Sequence, residues 1–199
     1  MHLYLASASP RRAELLTQIG VRFSRLAFPG IDETPIPTET PAEYVQRMAR
    51  EKALAGMAAM PAGEPPGAVL GADTSVVLGP RILGKPLDRD DARTMLAALA
   101  GQAHEVLSAV SLALPSGQQQ TLLSTTRVWF RPLANDEIEA YLDTGEPFDK
   151  AGSYGIQGGG ALLVEQLHGS YSGVVGLPLA ETRQLLHWAK IPYWQRGTA

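Results

Sequence analysis

The stretch Ala68 to Asp88, AVLGADTSVVLGPRILGKPLD, decides how the chain is read. Ala68-Val69-Leu70 opens a short apolar run, Asp73 interrupts it, and Val76, Val77 and Leu78 resume it. Gly79-Pro80 marks a turn, and Ile82-Leu83 leads into Gly84-Lys85-Pro86. The pattern predicts a buried strand, a turn and a strand returning beside it. Such a pairing carries Lys85 back toward Asp73. A carboxylate set between apolar runs costs roughly several kcal/mol unless it is paired or metal-bound. One reading of Asp73 is a structural residue that hydrogen-bonds a turn. The other is an active-site carboxylate with a cationic partner nearby, and this second reading is favoured.

With 199 residues, 45% of them hydrophobic, the chain has enough for one substantial core and at most two lobes. It contains no cysteine, which excludes disulfides, thiolate nucleophiles and cysteine-based zinc sites. A net charge of −3 gives no broad attraction to nucleic acid or membranes, and neither is expected as a partner. The apolar run Leu3 to Ala6 is too short for a signal peptide, and the arginines follow it. No apolar segment approaches the roughly 20 residues that span a bilayer. The expectation is a cytoplasmic protein, one domain over 1–199 with a short tail from about 190.

Leu3 to Ala6 reads as a strand, Ser7-Ala8-Ser9 as a turn, and Pro10-Arg11-Arg12 as the start of a helix ended by Gly20. Ser9 is a candidate N-cap. Free backbone N–H groups, the hydroxyls of Ser7 and Ser9, and the guanidinium groups of Arg11 and Arg12 thus gather at one helix N-terminus. That arrangement suits an anion such as phosphate, although a capped helix with two solvated arginines is the plainer alternative. Walker spacing is absent, so this is not a P-loop.

A second strand is expected near Val21 to Ala27, then a Pro/Gly-rich loop, Pro29 to Pro35, holding Asp32 and Glu33. A long helix follows from Glu39 or Thr40 to about Met60, with Glu43, Arg47 and Glu51 as an ion-pair ladder. Lys52 falls in its buried stripe, where it either snorkels outward or points its ammonium into a cleft. PAGEPPG, Pro61 to Gly67, is a loop. Asp88 to Ala100 is a helix, and His104 to Leu114 with Thr121 to Arg131 form a hairpin with one buried face. Helices at Asn135 to Thr144 and Gly176 to Ala189 complete the chain.

Asp149 to Gly160, DKAGSYGIQGGG, is glycine-rich, with Lys150 and Gln157 as its polar features. Such a loop either turns a corner or lets backbone approach a ligand. Gly169-Ser170-Tyr171-Ser172-Gly173 is not a nucleophile elbow, because serine is not at its centre. The histidines at 2, 104, 168 and 187 are scattered and build no metal site.

Taken together, the motifs resemble the Maf family of nucleoside triphosphate pyrophosphatases. The residues that carry the resemblance are Ser7-Ala8-Ser9-Pro10-Arg11-Arg12, Asp32-Glu33-Thr34, Arg50-Glu51-Lys52-Ala53, Gly71-Ala72-Asp73-Thr74, Gly84-Lys85-Pro86, Asp149-Lys150-Ala151-Gly152, Tyr154-Gly155-Ile156-Gln157-Gly158 and Val175-Gly176-Leu177-Pro178-Leu179. They stand in the family's order from about Leu3 to Leu186. Ser75, where an aliphatic residue is usual, and a long PAGEPPG linker are the departures.

The resemblance implies an α/β fold of the Maf and ITPase kind, an elongated mixed sheet flanked by helices, with two lobes around a nucleotide cleft. It implies hydrolysis of a nucleoside triphosphate to monophosphate and pyrophosphate with a divalent cation, Mg²⁺ or Mn²⁺, and suggests a homodimer. Asp73 matches the proposed proton acceptor. Ser7, Ser9, Arg11, Arg12, Lys52 and Lys85 supply donors and positive charge for the phosphates. Glu33 with Asp73 offers oxygen ligands for the metal, and whether Asp73 is base or ligand stays open. Thr74 and Gln157 resemble the branch acting on dTTP and UTP, with Arg11 helping to set specificity. A neutral amide at Gln157 matches both acceptors and donor of a pyrimidine edge. The alternatives are the sibling branch acting on 7-methyl-GTP and a nucleotide-binding regulator of septum formation without turnover.

Overall fold

The structure is a computed structural model and describes residues 1–27 and 30–195. Of the expected loop from Pro29, the first residue lies outside the described residues, as do residues 196–199 of the tail. The organising strand is confirmed and longer than its apolar runs, β3 over Gly67–Leu78. Three strands precede or follow it closely: β1 (His2–Leu5), β2 (Ser24–Arg25) and β4 (Arg81–Leu83). Two long strands, β5 (Ala103–Ala113) and β6 (Gln119–Phe130), and the short β7 (Val164–His168) complete a mixed seven-stranded sheet. Its order is β2-β1-β3-β5-β6-β7, with β4 also on β3.

The pairing of β3 is the feature that positions everything else. Along one edge it pairs with β5 from Val69–Ala113 to Val77–Glu105. Along the other edge it pairs in parallel with β1 as far as Leu70, and antiparallel with β4 only from Val76 onward. The sheet therefore forks at residues 71–75, with Asp73 at the centre of the fork. Among the described residues no ladder partner occupies that edge, so a ligand can approach the strand side-on.

Helices α1 (Pro10–Gln18), α2 (Pro41–Ala58), α3 (Arg89–Leu99), α4 (Asn135–Asp143), α5 (Tyr171–Val175) and α6 (Leu179–Trp188) cover both faces. Strand side chains alternate between those faces. Ala68, Leu70 and Ala72 meet Leu15 and Leu16 of α1 and Leu185 and Leu186 of α6 in one cluster. Val76 on the same face joins Leu96 and Leu99 of α3 and Leu142 of α4 in a second. Thr74 sits between the two. On the opposite face Val77 packs against Val45 and Ala49 of α2.

Several expectations need correction. The second strand shrinks to two residues, because β1 offers only Tyr4 and Leu5 as partners and the Val21 amide turns back to the Leu16 carbonyl. The hairpin does not have one buried face throughout. From Val106 to Ala113 β5 is buried on both faces, lying between β3 and β6 with helices above and below, while β6 exposes Thr125 and Arg127. The ladder on α2 is rearranged as well. Glu43 closes a capping box with Thr40, and Arg47 pairs with Glu39 at 2.5 Å, leaving Glu51 at 3.5 Å. A capping box satisfies two helix-end donors that solvent would otherwise hold, which outweighs an exposed ion pair.

Candidate functional site

A cleft of about 1060 Å³ opens over the fork in the sheet. It brings together Ser7, Ser9, Arg11, Arg12, Glu33, Lys52, Asp73, Thr74, Lys85 and Gln157, the residues singled out in the sequence. They come from the β1–α1 turn, the first turn of α1, the loop before α2, α2 itself, β3, the β4–α3 connection and the glycine-rich loop.

Asp73 is 9% exposed. Its cationic partner is not the one the strand pairing predicted. Strand β4 ends at Leu83, so the ladder stops before Lys85, which is exposed at the cleft rim and forms no ion pair among the described residues. The partner is Lys52, whose Nζ lies 2.7 Å from Asp73 Oδ1 and 2.7 Å from Glu33 Oε1. Of the two readings of Lys52, the inward one holds: its side chain is 13% exposed and points into the cleft. Among the described residues Asp73 Oδ2 has only the Ser75 hydroxyl, at 3.4 Å. The unexpected Ser75 is thus on the same face as the carboxylate and donates to it, a task an aliphatic residue could not perform.

Tyr44, which the sequence reading passed over, fixes the approach of Glu33. Its hydroxyl donates to the Glu33 carbonyl at 3.0 Å. Burial, reinforced by the charges of Asp73 and Glu33, pushes the Tyr44 phenol up to about 12, so it remains a donor at neutral pH. Its place in the apolar stripe of α2 is the signal that hid it: an aromatic there reads as core.

At the other wall the N-terminus of α1 faces the fork. Ser9 occupies the N-cap position, but its side chain makes no cap hydrogen bond. Ser7 does the local work instead, accepting from the Ser9 amide at 3.2 Å and from Arg12 Nη1 at 3.1 Å. Arg12 also donates from Nε to the Gly176 carbonyl at 2.9 Å. Burial pulls the Arg12 guanidinium below its ordinary value, while the Asp73 carboxylate opposes that and Arg11 adds to it. Arg12 is therefore a fixed, internally anchored charge. The Thr74 hydroxyl points to the same wall, 2.8 Å from Ser108 Oγ and 3.4 Å from the Gly176 carbonyl.

The glycine-rich loop forms the third wall. Gln157 is exposed within the cleft. Lys150 does not present a free charge, since its Nζ donates to the Glu146 carbonyl at 2.7 Å and to Asp149 Oδ1 at 2.6 Å. Glu146 and Asp149 also line the cleft: Asp149 opens the glycine-rich stretch but was given no role in the sequence reading, and Glu146, between the expected helix end at Thr144 and that stretch, was missed. Ser170 caps α5 through the Gly173 amide and Ser172 accepts from the Leu179 amide, so neither serine is a nucleophile. No cluster of three or more metal-ligating side chains exists among the described residues. Glu33 and Asp73 converge on the Lys52 ammonium and offer two hard carboxylates, the number that Mg²⁺ takes when phosphate and water complete its shell. The donor set fits such an ion.

The chain is similar to known proteins over nearly its whole length. The family model for Maf-like proteins matches residues 2–189. A dTTP/UTP pyrophosphatase of Alcanivorax borkumensis is 60% identical, the match covering 98% of this chain and 99% of that one. A dTTP/UTP pyrophosphatase of Vibrio cholerae is 51% identical over 93% of this chain and 96% of its own. Among solved structures, a HAM1 protein from Coxiella burnetii superposes with a TM-score of 0.50 at 15% identity, covering 94% and 99% of the two chains. At that identity the likeness speaks for the α/β fold alone.

Proposed function

The chain belongs to the Maf family, and we propose that it is a nucleoside triphosphate pyrophosphatase that hydrolyses dTTP and UTP to the monophosphate and pyrophosphate. The observation that carries the reading is the Lys52–Asp73 pair at the fork, facing the arginine-bearing N-terminus of α1 across one cleft. A protein that only sensed nucleotides would use the cations and have little use for a carboxylate held at 2.7 Å by an ammonium.

The triphosphate lies along the N-terminal turn of α1, where backbone N–H groups, Ser7, Ser9, Arg11 and Arg12 neutralise its oxygens. Lys85, free at the rim, adds charge as the leaving pyrophosphate develops it. Lys52 holds Oδ1 of Asp73, which leaves Oδ2 to orient the attacking water and accept its proton as the α–β anhydride breaks. Glu33 and Asp73 would hold a divalent cation, Mg²⁺ or Mn²⁺, which when bound supplies charge stabilisation to the phosphate oxygens. Gln157 reads the pyrimidine edge, with Thr74 and Arg11 setting its depth in the cleft. The reaction belongs to the cytoplasm, where its nucleotides are found.

The test is pyrophosphate release from dTTP, UTP, CTP, GTP and 7-methyl-GTP, with Mg²⁺ or Mn²⁺ and with chelator, beside Asp73→Asn. Selective cleavage of dTTP and UTP, lost in the variant and under chelation, is the expected result. Preference for 7-methyl-GTP would overturn the substrate assignment and leave the chemistry. Binding without release from any nucleotide would overturn the enzyme.

A further inference from the structure

The glycine-rich loop that carries Gln157 has no strand or long helix of its own, yet it is not held by chance. Two short 3-10 turns bracket it, Ala151–Ser153 before and Gly159–Leu163 after. Its backbone is tied to a single carboxylate. Glu146 Oε2 accepts from the Gly159 amide at 2.8 Å, and Oε1 accepts from the Gly160 amide at 3.1 Å and from the Tyr141 hydroxyl at 2.8 Å. That hydroxyl in turn accepts from the Gly155 amide at 3.1 Å. Amides on both sides of Gln157 therefore end on one Glu146–Tyr141 unit.

The loop is wound tightly enough to need its glycines. A β-carbon on Gly158 would stand 2.2 Å from Glu146 Oε2, and one on Gly160 would stand 2.6 Å from both the Gly155 carbonyl and the Tyr141 hydroxyl. Burial alone would raise the Glu146 carboxyl, but the bonds from Tyr141, Gly160 and Gly159 and the charge of Lys150 outweigh it, and the group lies below its usual value. It is a bound anion at neutral pH, with no spare capacity on Oε1.

We propose that Glu146 is a positioning residue for base recognition, fixing through Tyr141 and the Gly159 and Gly160 amides the loop that presents Gln157 to the pyrimidine. The inference rests on the pyrimidine-nucleotide reading of the cleft. Tyr141 belongs to the second hydrophobic cluster, with α3 and α4. The frame that orients the base is thus anchored in a different cluster from the α1 turn that takes the phosphates. A loop frame of this kind sets which base fits and how tightly, and leaves the Asp73 chemistry alone.

The experiment compares wild type, Glu146→Gln and Tyr141→Phe, each alone and combined with Gln157→Ala, by kcat and KM for dTTP, UTP and CTP. Glu146→Gln keeps length but places an amide where an N–H donor points. Tyr141→Phe keeps the ring and removes only the bridging hydroxyl, so it carries the test if the glutamate variant folds poorly. Expected is a rise of about tenfold in the dTTP KM with kcat within about threefold, and a reduced preference for dTTP over CTP. In the Gln157→Ala background either change should alter that preference by less than about twofold, since its target is gone. Equal loss for all three bases, a fall in kcat at constant KM, or full additivity with Gln157→Ala would overturn the proposal. A wild type without dTTP and UTP turnover would instead overturn the underlying assignment, and the two failures are read from different samples.

Discussion

Gly71 lies so close beneath Ala53 that a β-carbon on it would stand 2.5 Å from the Ala53 amide nitrogen and 2.5 Å from the Ala49 carbonyl. Lys52 precedes Ala53, and Asp73 follows Gly71 on the same face of β3. The contact of helix backbone on strand backbone therefore sets the length of the Lys52–Asp73 pair.

Gly71→Ala should push α2 away from β3. Overpacking against backbone has no flexible atom to yield, so a loss of about 1–3 kcal/mol in urea unfolding is expected. The larger signal is kinetic: a shift near 1 Å at Lys52 lowers kcat about 100-fold, while nucleotide binding through α1 is retained. An unchanged kcat would show that the pair tolerates the displacement.

Lys52→Met leaves Asp73 and Glu33 as two facing carboxylates without the ammonium between them. Turnover should fall about 100-fold. Asp73→Asn in the same chain removes one of the two charges and with it the repulsion, so a double-mutant cycle on stability should return a coupling of about 1–3 kcal/mol. A coupling of zero would mean that the 2.7 Å contact contributes nothing in solution.

Gln157→Glu replaces a group that both donates and accepts with an acceptor-only anion. The cationic, donor-rich ring of 7-methylguanine gains from that change and a pyrimidine loses. The ratio of kcat/KM for dTTP to that for 7-methyl-GTP should drop by about tenfold or more. A constant ratio would remove Gln157 from base reading.

His104 gives a stability signal away from the cleft chemistry. Its Nε2 lies 2.8 Å from the Tyr154 hydroxyl, its ring meets Phe130 and Tyr154 edge-on, and burial lowers it to about 4. The unfolded chain takes up this proton near the ordinary value of 6.5, and the folded chain does so only near 4. Stability is thus fully present above 6.5 and is lost as pH falls toward 4, at up to about 1.4 kcal/mol per pH unit. Glu39, Glu137 and Glu139, held near 2 by arginines, lose their contributions only below 4.5, so the window from 6.5 to 4.5 is not theirs. Urea unfolding at pH 7 and pH 5 checks this, and His104→Leu should flatten the difference.

The organising strand and the α1 turn were legible because each rests on local chemistry: β-branched runs broken by one carboxylate, and serine before Pro-Arg-Arg. The partner of Asp73 was not legible in the same way. Sequence proximity pointed to Lys85, but the ladder ends at Leu83, and the true partner comes from a helix packed across the sheet face. Lys52 in an apolar register was the available clue, and it left two readings open. Glu146 gave no clue of its own, because its partners in the glycine-rich loop are backbone amides, which look alike in every sequence. Burial of β5 on both faces likewise depends on its central place in the strand order, which alternation along one strand cannot reveal.

The ladder that joins Val69–Ala113 to Val77–Glu105 passes without interruption beneath the fork. Mechanically, the cleft has a floor but no hinge. The clusters on either side share two strands and cannot swing apart like jaws. The entrance must widen and narrow through segments outside that floor, chiefly the loop carrying Glu33, because the loop carrying Gln157 is tied to Glu146 and Tyr141. A substitution that slows product departure without touching the chemistry should then map to the Glu33 loop.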